Sequence, residues 1–245
     1  MQRHRLPPRP DWAEQVETLG FDFHSLDGAI YWDERACWEF TLGQVETVED
    51  AADELHRLCL DAVDWVVRNG RFEPFRLPAE AIPLIEDSWR RRQPALYGRF
   101  DFAYDGDGPP KLLVFIADTP TALFESSVIQ WQWLQSCFPE ADQFNSIHEG
   151  LVERWRWIAR QMRRNQPLHL ASLTPHPEDE GTVRYLQATA LEAGLSCKFI
   201  AMGDMGWDGR RFVDLEGEPI EQLFKLYPWE WLLADTYGPH IGPSG

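Results

Sequence analysis

The sequence has little positive charge for its length and lacks any long apolar run. Its 245 residues carry 23 Lys and Arg against 40 Asp and Glu, a net charge of −17, so the chain should repel phosphate backbones and anionic bilayers. The longest apolar runs, such as 112–117, are far shorter than the roughly 20 residues of a membrane helix. The opening MQRHRLPPRP also lacks the apolar segment of a signal peptide. We therefore expect no nucleic-acid partner, no membrane partner and a cytoplasmic location.

Motifs of several common enzyme classes are also missing. The sequence contains no GxxxxGK[ST], GxGxxG, HExxH or GxSxG, which argues against P-loop, dinucleotide-binding, zincin and hydrolase-elbow proteins. Its four cysteines form no CxxC pair and have no histidine at zinc spacing, so we predict reduced thiols and no structural zinc. Twelve Trp and 14 Phe are large rings that either fill a core or line a ligand groove.

Hydrophobic spacing predicts where the helices lie. Apolar residues recur at three and four over 41–69, and Gly70 ends the run, which is the clearest helix in the chain. The first ten residues contain three prolines and few apolar positions, so we expect a mobile lead-in with order beginning near Asp11. Further helices are predicted over 12–20, 79–91, 123–134, 142–162 and 178–193.

The strands predict an α/β protein with a mixed sheet. Alternation in RFDFAYD, the turn DGDG and the apolar run KLLVFIA predict an antiparallel hairpin over 97–118 with a buried second strand. A strand, a helix and a strand over 168–202 predict a βαβ unit with parallel strands and a right-handed crossover. A strand-like segment at 29–33, a small hairpin over 204–217, and a strand or helix leading into a final helix over 218–234 complete the pattern.

The predicted hairpin carries the most informative polar cluster. Arg99 and Asp101 are two residues apart, so their side chains share one face of the strand. An arginine beside a carboxylate can bind a phosphate while the carboxylate binds Mg²⁺. The second strand adds Lys111 and, at its end, the predicted substrate-binding residues Asp118, Thr119 and Thr121. The alternative is an Arg–Asp surface ion pair followed by a threonine helix cap.

Other polar residues favour structural roles. Glu178, Asp179 and Glu180 lie at a predicted helix N-terminus, where negative charge complements the helix dipole, so capping is favoured over catalysis. Seven histidines are separated from one another in the sequence, and each is predicted to be a surface residue or a hydrogen-bonded core residue.

Five segments in order along the chain resemble a known family. RPDWAEQVETLGFDFHSLDGAIYWDE, QPALYGRFDFAYDG, LLVFIADTPTALFES, DQFNSI and LFKLYPWEW are similar to the glutathionylspermidine synthase-like ATP-grasp ligases from about Arg9 to Ala234. The resemblance implies a pre-ATP-grasp region over 11–235 followed by a tail over 236–245. Most of the ATP-grasp domain would be absent.

The resemblance implies a reaction and assigns residues to it. Relatives of this kind join a carboxylate to an amine through an acyl phosphate, using ATP and Mg²⁺, on small peptide and amine substrates such as glutathione and spermidine. Arg99 would contact the phosphoryl group and Asp101 would bind magnesium. The family pattern LLExNAD reads LLVFIAD here, however, so Val114 and Ile116 replace two oxygen ligands that a hard cation needs.

Two functional interpretations follow from the resemblance and from the positions at which this sequence departs from the family pattern. The chain is either a truncated carboxylate–amine ligase that is inactive alone, or a non-catalytic remnant that binds a peptide, a polyamine or a protein partner. An acidic surface attracts a polyamine in both cases. Truncation would also expose an apolar surface, including the Trp-rich C-terminal helix, so we expect self-association.

Overall fold

The chain forms two units, each assembled from separated segments. The first comprises 1–39, 96–99 and 116–227, and the second comprises 40–95, 100–115 and 228–245. The computed structural model describes residues 1–26, 28–163 and 166–242, so the last three residues of the predicted tail lie outside the described part. The assignment of 11–235 to a single pre-ATP-grasp region stays a prediction.

The secondary structure alternates short strands with helices. The strands are β1 (Gln2–Arg5), β2 (Ser25–Leu26), β3 (Ala29–Ile30), β4 (Ala36–Glu39), β5 (Arg99–Ala103), β6 (Lys111–Ile116), β7 (Leu168–Ser172), β8 (Cys197–Ala201), β9 (Gly206–Trp207), β10 (Phe212–Val213) and β11 (Leu223–Leu226). The helices are α1 (Trp12–Thr18), α2 (Leu42–Asn69), α3 (Ala81–Arg91), α4 (Gln130–Cys137), α5 (Ile147–Ala159), α6 (Pro177–Glu192) and α7 (Trp229–Ala234). A π-helical stretch, Glu125–Ile129, leads into α4, and single 3₁₀ turns lie at Glu73–Phe75, Met202–Asp204 and Gly238–His240.

A parallel three-stranded sheet organises the first unit. Its strand order is β11-β7-β8, and α6 connects β7 to β8, which confirms the predicted βαβ unit. Every residue of the central strand β7 is buried, as expected for a parallel strand covered on both faces. The core beside it includes Leu170, Val183 and Leu186, all fully buried. The mixed α/β architecture is therefore the one predicted.

Secondary structure begins earlier than the sequence predicted. Strand β1 pairs antiparallel with β4, and the Arg9 guanidinium binds the buried Glu34 carboxylate at 2.6 Å. The expectation that order begins near Asp11 is therefore wrong. Backbone hydrogen bonds and one buried ion pair order a segment that has almost no apolar side chains to pack.

The second unit contains the long helix α2. Thr41 and Gln44 form a reciprocal capping box at its start, and Gly70 ends it in the left-handed conformation at φ 61°. These bounds match the prediction closely, because the cap and the terminal glycine both have specific sequence signals. None of the 28 residues of α2 is buried.

The apolar strand β6 is exposed rather than buried. It pairs with β5, and the connection over 104–110 is too short for a parallel crossover, so the hairpin is antiparallel as predicted. Leu113 is 69% exposed and Val114 is 42% exposed. The prediction of a buried second strand is therefore wrong, since a continuous apolar run indicates burial only where other elements cover both faces.

Exposed apolar side chains are frequent in the second unit. They lie mainly on α2, β6 and α7 (Leu42, Leu58, Leu60, Val63, Trp65, Leu112, Leu113, Val114, Trp229 and Trp231). Self-association through such a surface stays a prediction, which light scattering checks. Within the described residues, no helix is long and apolar enough to cross a membrane.

Candidate functional site

The 118–121 loop, which follows β6, is held by two side chains from the start of β5 and the segment just before it. Arg99 donates from Nη1 to the Thr121 hydroxyl at 2.9 Å and to the Thr121 carbonyl at 3.2 Å. The Tyr97 hydroxyl donates to the Pro120 carbonyl at 2.8 Å. Tyr97 and Arg99 are two residues apart, so their side chains reach the loop from the same side of an extended segment.

A third contact comes from the parallel sheet. Lys225 of β11 donates from Nζ to the Asp118 Oδ1 at 2.7 Å and to the Tyr227 carbonyl at 2.7 Å. Lys225 pairs in register with Ala171, one residue before the carboxyl end of β7. The loop therefore lies beside the carboxyl edge of the sheet, the edge at which α/β proteins bind ligands.

The chain enters a helix directly after this loop. Ala122 adopts the left-handed conformation at φ 61°, which costs free energy in a non-glycine residue. Helical structure then runs from 123 to 137. The Ala122 carbonyl accepts hydrogen bonds from the Ser126 amide and hydroxyl. A helix N-terminus next to an arginine gives positive potential in two forms, which suits an anionic group.

A buried carboxyl group lies on the first turns of this helix. Glu125 is 4% exposed and its Oε1 accepts a 2.7 Å hydrogen bond from the Tyr31 hydroxyl. Its Oε2 is buried with no hydrogen-bond partner among the described residues. Burial raises the pKa of Glu125, the Tyr31 hydrogen bond opposes this, and the charges of Glu178 and Arg99 act in opposite directions.

The N-terminus of α6 adds acidic groups to the same unit. The His176 Nδ1 accepts from the Asp179 amide at 3.3 Å, and the Glu180 Oε1 accepts from the His176 amide at 3.1 Å. The acidic segment lies in the first turn of α6, as predicted, and Glu180 takes part in the capping, whereas the N-cap side chain is that of His176. Burial raises the pKa of Asp179, against the effect of His176. Burial also raises the pKa of Tyr97, and the Asp179 charge adds to the rise.

The predicted site residues are divided between the two units. Arg99, Asp118 and Thr121 belong to the first unit and meet at the loop, where Thr119 also lies. Asp101, Lys111 and Val114 belong to the second unit, and Ile116 ends β6 in the first. Asp101 as a magnesium ligand stays a prediction.

Four residues of this region escaped the sequence analysis: Tyr31, Tyr97, Glu125 and Lys225. Lys225 had a detectable signal, because it is a charged residue inside the apolar strand LFKLY. Such a residue usually has a partner. Glu125 had no such signal, because a glutamate in the first turn of a helix is ordinarily exposed and interacts favourably with the helix dipole.

In the described part of the chain, the hairpin residues at the implied ligand positions do not fit a magnesium ion. Mg²⁺ requires near-octahedral oxygen coordination, whereas the two further positions that the resemblance implies as ligands hold the aliphatic residues Val114 and Ile116. Within residues 1–26, 28–163 and 166–242, no group of three His, Cys, Asp or Glu side chains is placed to hold a metal. Of the three positions that the resemblance implies, Asp101 has a side-chain oxygen.

Comparison with known proteins assigns the chain to a family. The family model described as glutathionylspermidine synthase preATP-grasp matches residues 3–244, so the chain belongs to this family. The resemblance seen in the sequence motifs is confirmed, and so is the fold class.

Two curated relatives agree with this assignment. The chain is 41% identical over 244 residues to a protein of Haemophilus influenzae named "Putative acid--amine ligase", covering 96% of this chain and 62% of the relative. It is 26% identical over 196 residues to the trypanothione synthetase of Crithidia fasciculata, covering 75% of this chain and 29% of that protein. The chain thus spans less than two thirds of the length of either relative.

Proposed function

We propose that this chain supplies the acid- and amine-binding part of an ATP-dependent acid–amine ligase of the glutathionylspermidine synthase type, acting in the cytoplasm. Membership in the preATP-grasp family supports the reaction class. The observation that carries the proposal is the double hydrogen bond from Arg99 to Thr121 at the start of a helix. This contact holds a guanidinium group beside the first turn of a helix, an arrangement that suits the binding of a phosphoryl group.

The proposed chemistry has two steps. A carboxylate oxygen of the acid substrate attacks the γ-phosphorus of ATP, which forms an acyl phosphate and releases ADP. The amine first loses a proton from its ammonium form and then attacks the acyl carbon. The C–O bond to phosphate breaks, and the second proton given up by the nitrogen goes to the departing phosphate, so that the amide and hydrogen phosphate are released. Charge builds on the phosphoryl oxygens in the first step, and Arg99 and the helix N-terminus would stabilise that charge.

Acidic groups in the first unit support a cationic amine as the second substrate. Glu178 and Asp179 lie at the start of α6, and Asp179 is close enough to Tyr97 to influence its pKa. The net charge of −17 also raises the local concentration of a polyamine through long-range attraction. We propose a small peptide as the acid and a polyamine as the amine, with glutathione and spermidine as the reference pair.

We propose further that the 245-residue chain has no ligase activity alone. The match covers 62% of the Haemophilus influenzae relative, and the residues at the ligand positions that the resemblance implies do not supply the oxygens that magnesium needs. The test incubates the chain with ATP, Mg²⁺, glutathione and spermidine and measures ADP. We expect no ADP formation that depends on both glutathione and spermidine. Such ADP formation would contradict the proposed inactivity and would support the ligase assignment.

The binding part of the proposal has a separate test. Acetonylphosphonate, a hydrolysis-resistant analogue of an acyl phosphate, is titrated with the chain and followed by ³¹P nuclear magnetic resonance. We expect saturable binding that weakens by about tenfold or more in Arg99→Met, because one charged hydrogen-bonding partner is lost. Arg35→Met is the matched control, since Arg35 forms an exposed pair with Asp33.

The alternative is a binding protein without ATP chemistry. The aliphatic side chains at positions 114 and 116 favour it, because they remove oxygen ligands without supplying others. This alternative predicts that spermidine or glutathione binds the chain and that acetonylphosphonate does not. Binding of all three compounds, with dependence on Arg99, would favour the ligase.

A further inference from the structure

The geometry points to Lys225 as a positioning residue that sets the 118–121 loop through Asp118 and thereby orients Arg99 toward the phosphoryl group. This inference rests on the proposed function, because it concerns the same anionic subsite. Lys225 lies on β11 and contacts the loop rather than the ligand. It would therefore act through Asp118 and Thr121.

The surroundings of Lys225 make it a firm attachment point. Its side chain is 10% exposed, and the next residue, Leu226, is fully buried in the core. The Nζ atom binds Asp118 on one side and the Tyr227 carbonyl of its own chain segment on the other, both at 2.7 Å. Two charge-assisted hydrogen bonds from a mostly buried ammonium leave it little freedom to move.

The loop has a different attachment at each end. Lys225 binds Asp118 at the beginning, and Arg99 binds Thr121 at the end. Only Thr119 and Pro120 separate the two attached residues, and proline restricts the backbone between them. A shift at Asp118 should therefore reach Thr121.

The Arg99 guanidinium contacts the loop directly at Thr121. Its Nη1 is directed at both the hydroxyl and the carbonyl of Thr121, so moving Thr121 turns the guanidinium plane. Arginine recognises a phosphoryl group through its planar fork, and such recognition fails when the plane is misaligned. Lys225 is thus coupled to the anionic subsite by two consecutive side-chain contacts.

The same geometry assigns a positioning role to Asp118. One of its carboxylate oxygens accepts from Lys225, and its side chain is 35% exposed. The sequence analysis predicted that Asp118 binds substrate. We infer instead that its carboxylate anchors the loop to the parallel sheet, so that an Asp118→Asn variant should behave like a variant of Lys225.

The test uses acetonylphosphonate and the complete 245-residue chain in the ³¹P titration. We expect Lys225→Met and Asp118→Asn each to weaken binding by about tenfold. The double variant should bind about as weakly as either single variant, because the two residues act through one contact. Lys225→Arg should recover most of the affinity, and its recovery separates positioning from a loss of folding. Lys198→Met is the control, since Lys198 pairs with Asp214 and Glu216 instead.

The outcomes separate this inference from the proposed function. If the unmodified chain fails to bind acetonylphosphonate, the proposed anionic subsite is wrong and the inference falls with it. If the unmodified chain binds and Lys225→Met binds equally well, only the inference is overturned. Additive losses in the double variant would also overturn it. If Lys225→Met does not fold, Asp118→Asn and Lys225→Arg decide the matter alone, by the same affinities.

Discussion

The Tyr31 hydroxyl donates a 2.7 Å hydrogen bond to the buried Glu125 carboxylate, joining the segment after β3 to the helix that follows the 118–121 loop. The second carboxylate oxygen has no hydrogen-bond partner among the described residues. A buried carboxylate with an unpaired oxygen is costly in its charged form. The pair therefore combines a stabilising contact with a destabilising charge.

Glu125→Gln should stabilise the protein increasingly as pH rises. Burial raises the pKa of Glu125 above its ordinary 4.5, so the folded state holds the proton more tightly than the unfolded state does. Its contribution to stability is present below pH 4.5 and is lost as pH rises through the folded-state pKa. Glutamine does not titrate, so it avoids this loss.

Urea unfolding of both proteins from pH 4 to pH 8 checks this expectation. The free energy of unfolding of Glu125→Gln, relative to the unmodified chain, should increase across that range. Glu153→Gln is the control, because Glu153 is exposed on α5. A difference that stays constant with pH would show that the Glu125 pKa is not raised.

Gly181→Ala should destabilise the first unit. A Cβ atom at position 181 would lie 2.5 Å from Cε1 of Phe23, a fully buried ring in the core. Overpacking of this kind costs about 1–3 kcal/mol, which outweighs the gain of up to about 1 kcal/mol from replacing glycine in a helix. Thermal unfolding measures the net loss.

Gly150→Ala is the matched control for that substitution. Gly150 is also inside a helix, α5, and a Cβ atom there would meet nothing within 4 Å. Alanine should therefore raise stability by up to about 1 kcal/mol. Equal effects of the two substitutions would rule out the Phe23 contact as the cause.

Asp214→Asn should lower the free energy of unfolding of the protein. Asp214 binds the fully buried His169 at 3.3 Å and Lys198 at 2.5 Å, and it accepts backbone hydrogen bonds from Glu216 and Glu218. Burial alone raises the pKa of Asp214, but these hydrogen bonds together hold it well below its ordinary 3.8. Removing the charge should lower the free energy of unfolding, because His169 and the two amides lose a charged acceptor and Lys198, which is 38% exposed, loses a carboxylate partner.

The same contacts predict an acid dependence. A carboxylate with a lowered folded-state pKa contributes stability above the ordinary pKa of 3.8, and this contribution is lost as pH falls through the folded-state value. The difference between the unmodified chain and Asp214→Asn should therefore shrink below about pH 4. Asp22→Asn, an exposed residue of the same unit, should show no such difference, and guanidinium unfolding at pH 7 and pH 3 measures both.

The double substitution Val114→Glu with Ile116→Asn should not create ligase activity in this chain. It restores two oxygen ligands of the family pattern beside Asp101, yet the chain still matches only 62% of the length of its Haemophilus influenzae relative. We expect increased Mn²⁺ binding by electron paramagnetic resonance and no ADP release. ADP release dependent on glutathione and spermidine would show that these two residues alone cause the inactivity.

Secondary-structure elements that are marked by short-range sequence features were predictable. Helix α2 begins at a threonine capping box and ends at a glycine, and both are short-range features that a sequence displays directly. The βαβ unit was predictable for a related reason, because a strand, a helix and a strand at close spacing admit few arrangements. Strand β1 was missed, since its pairing with β4 depends on backbone groups more than thirty residues away.

The candidate site, like the fold, was predictable only in part. The sequence by itself determined the family and the reaction class that the family implies, and it selected Arg99 and Thr121 as candidate site residues, because these depend on residue types in a recognisable order. Only the tertiary structure decided that Lys225 reaches Asp118 across more than a hundred residues, that Tyr31 meets Glu125, and that β6 is exposed. Contacts of that kind are set by how separate elements pack, and no local pattern of residues encodes them.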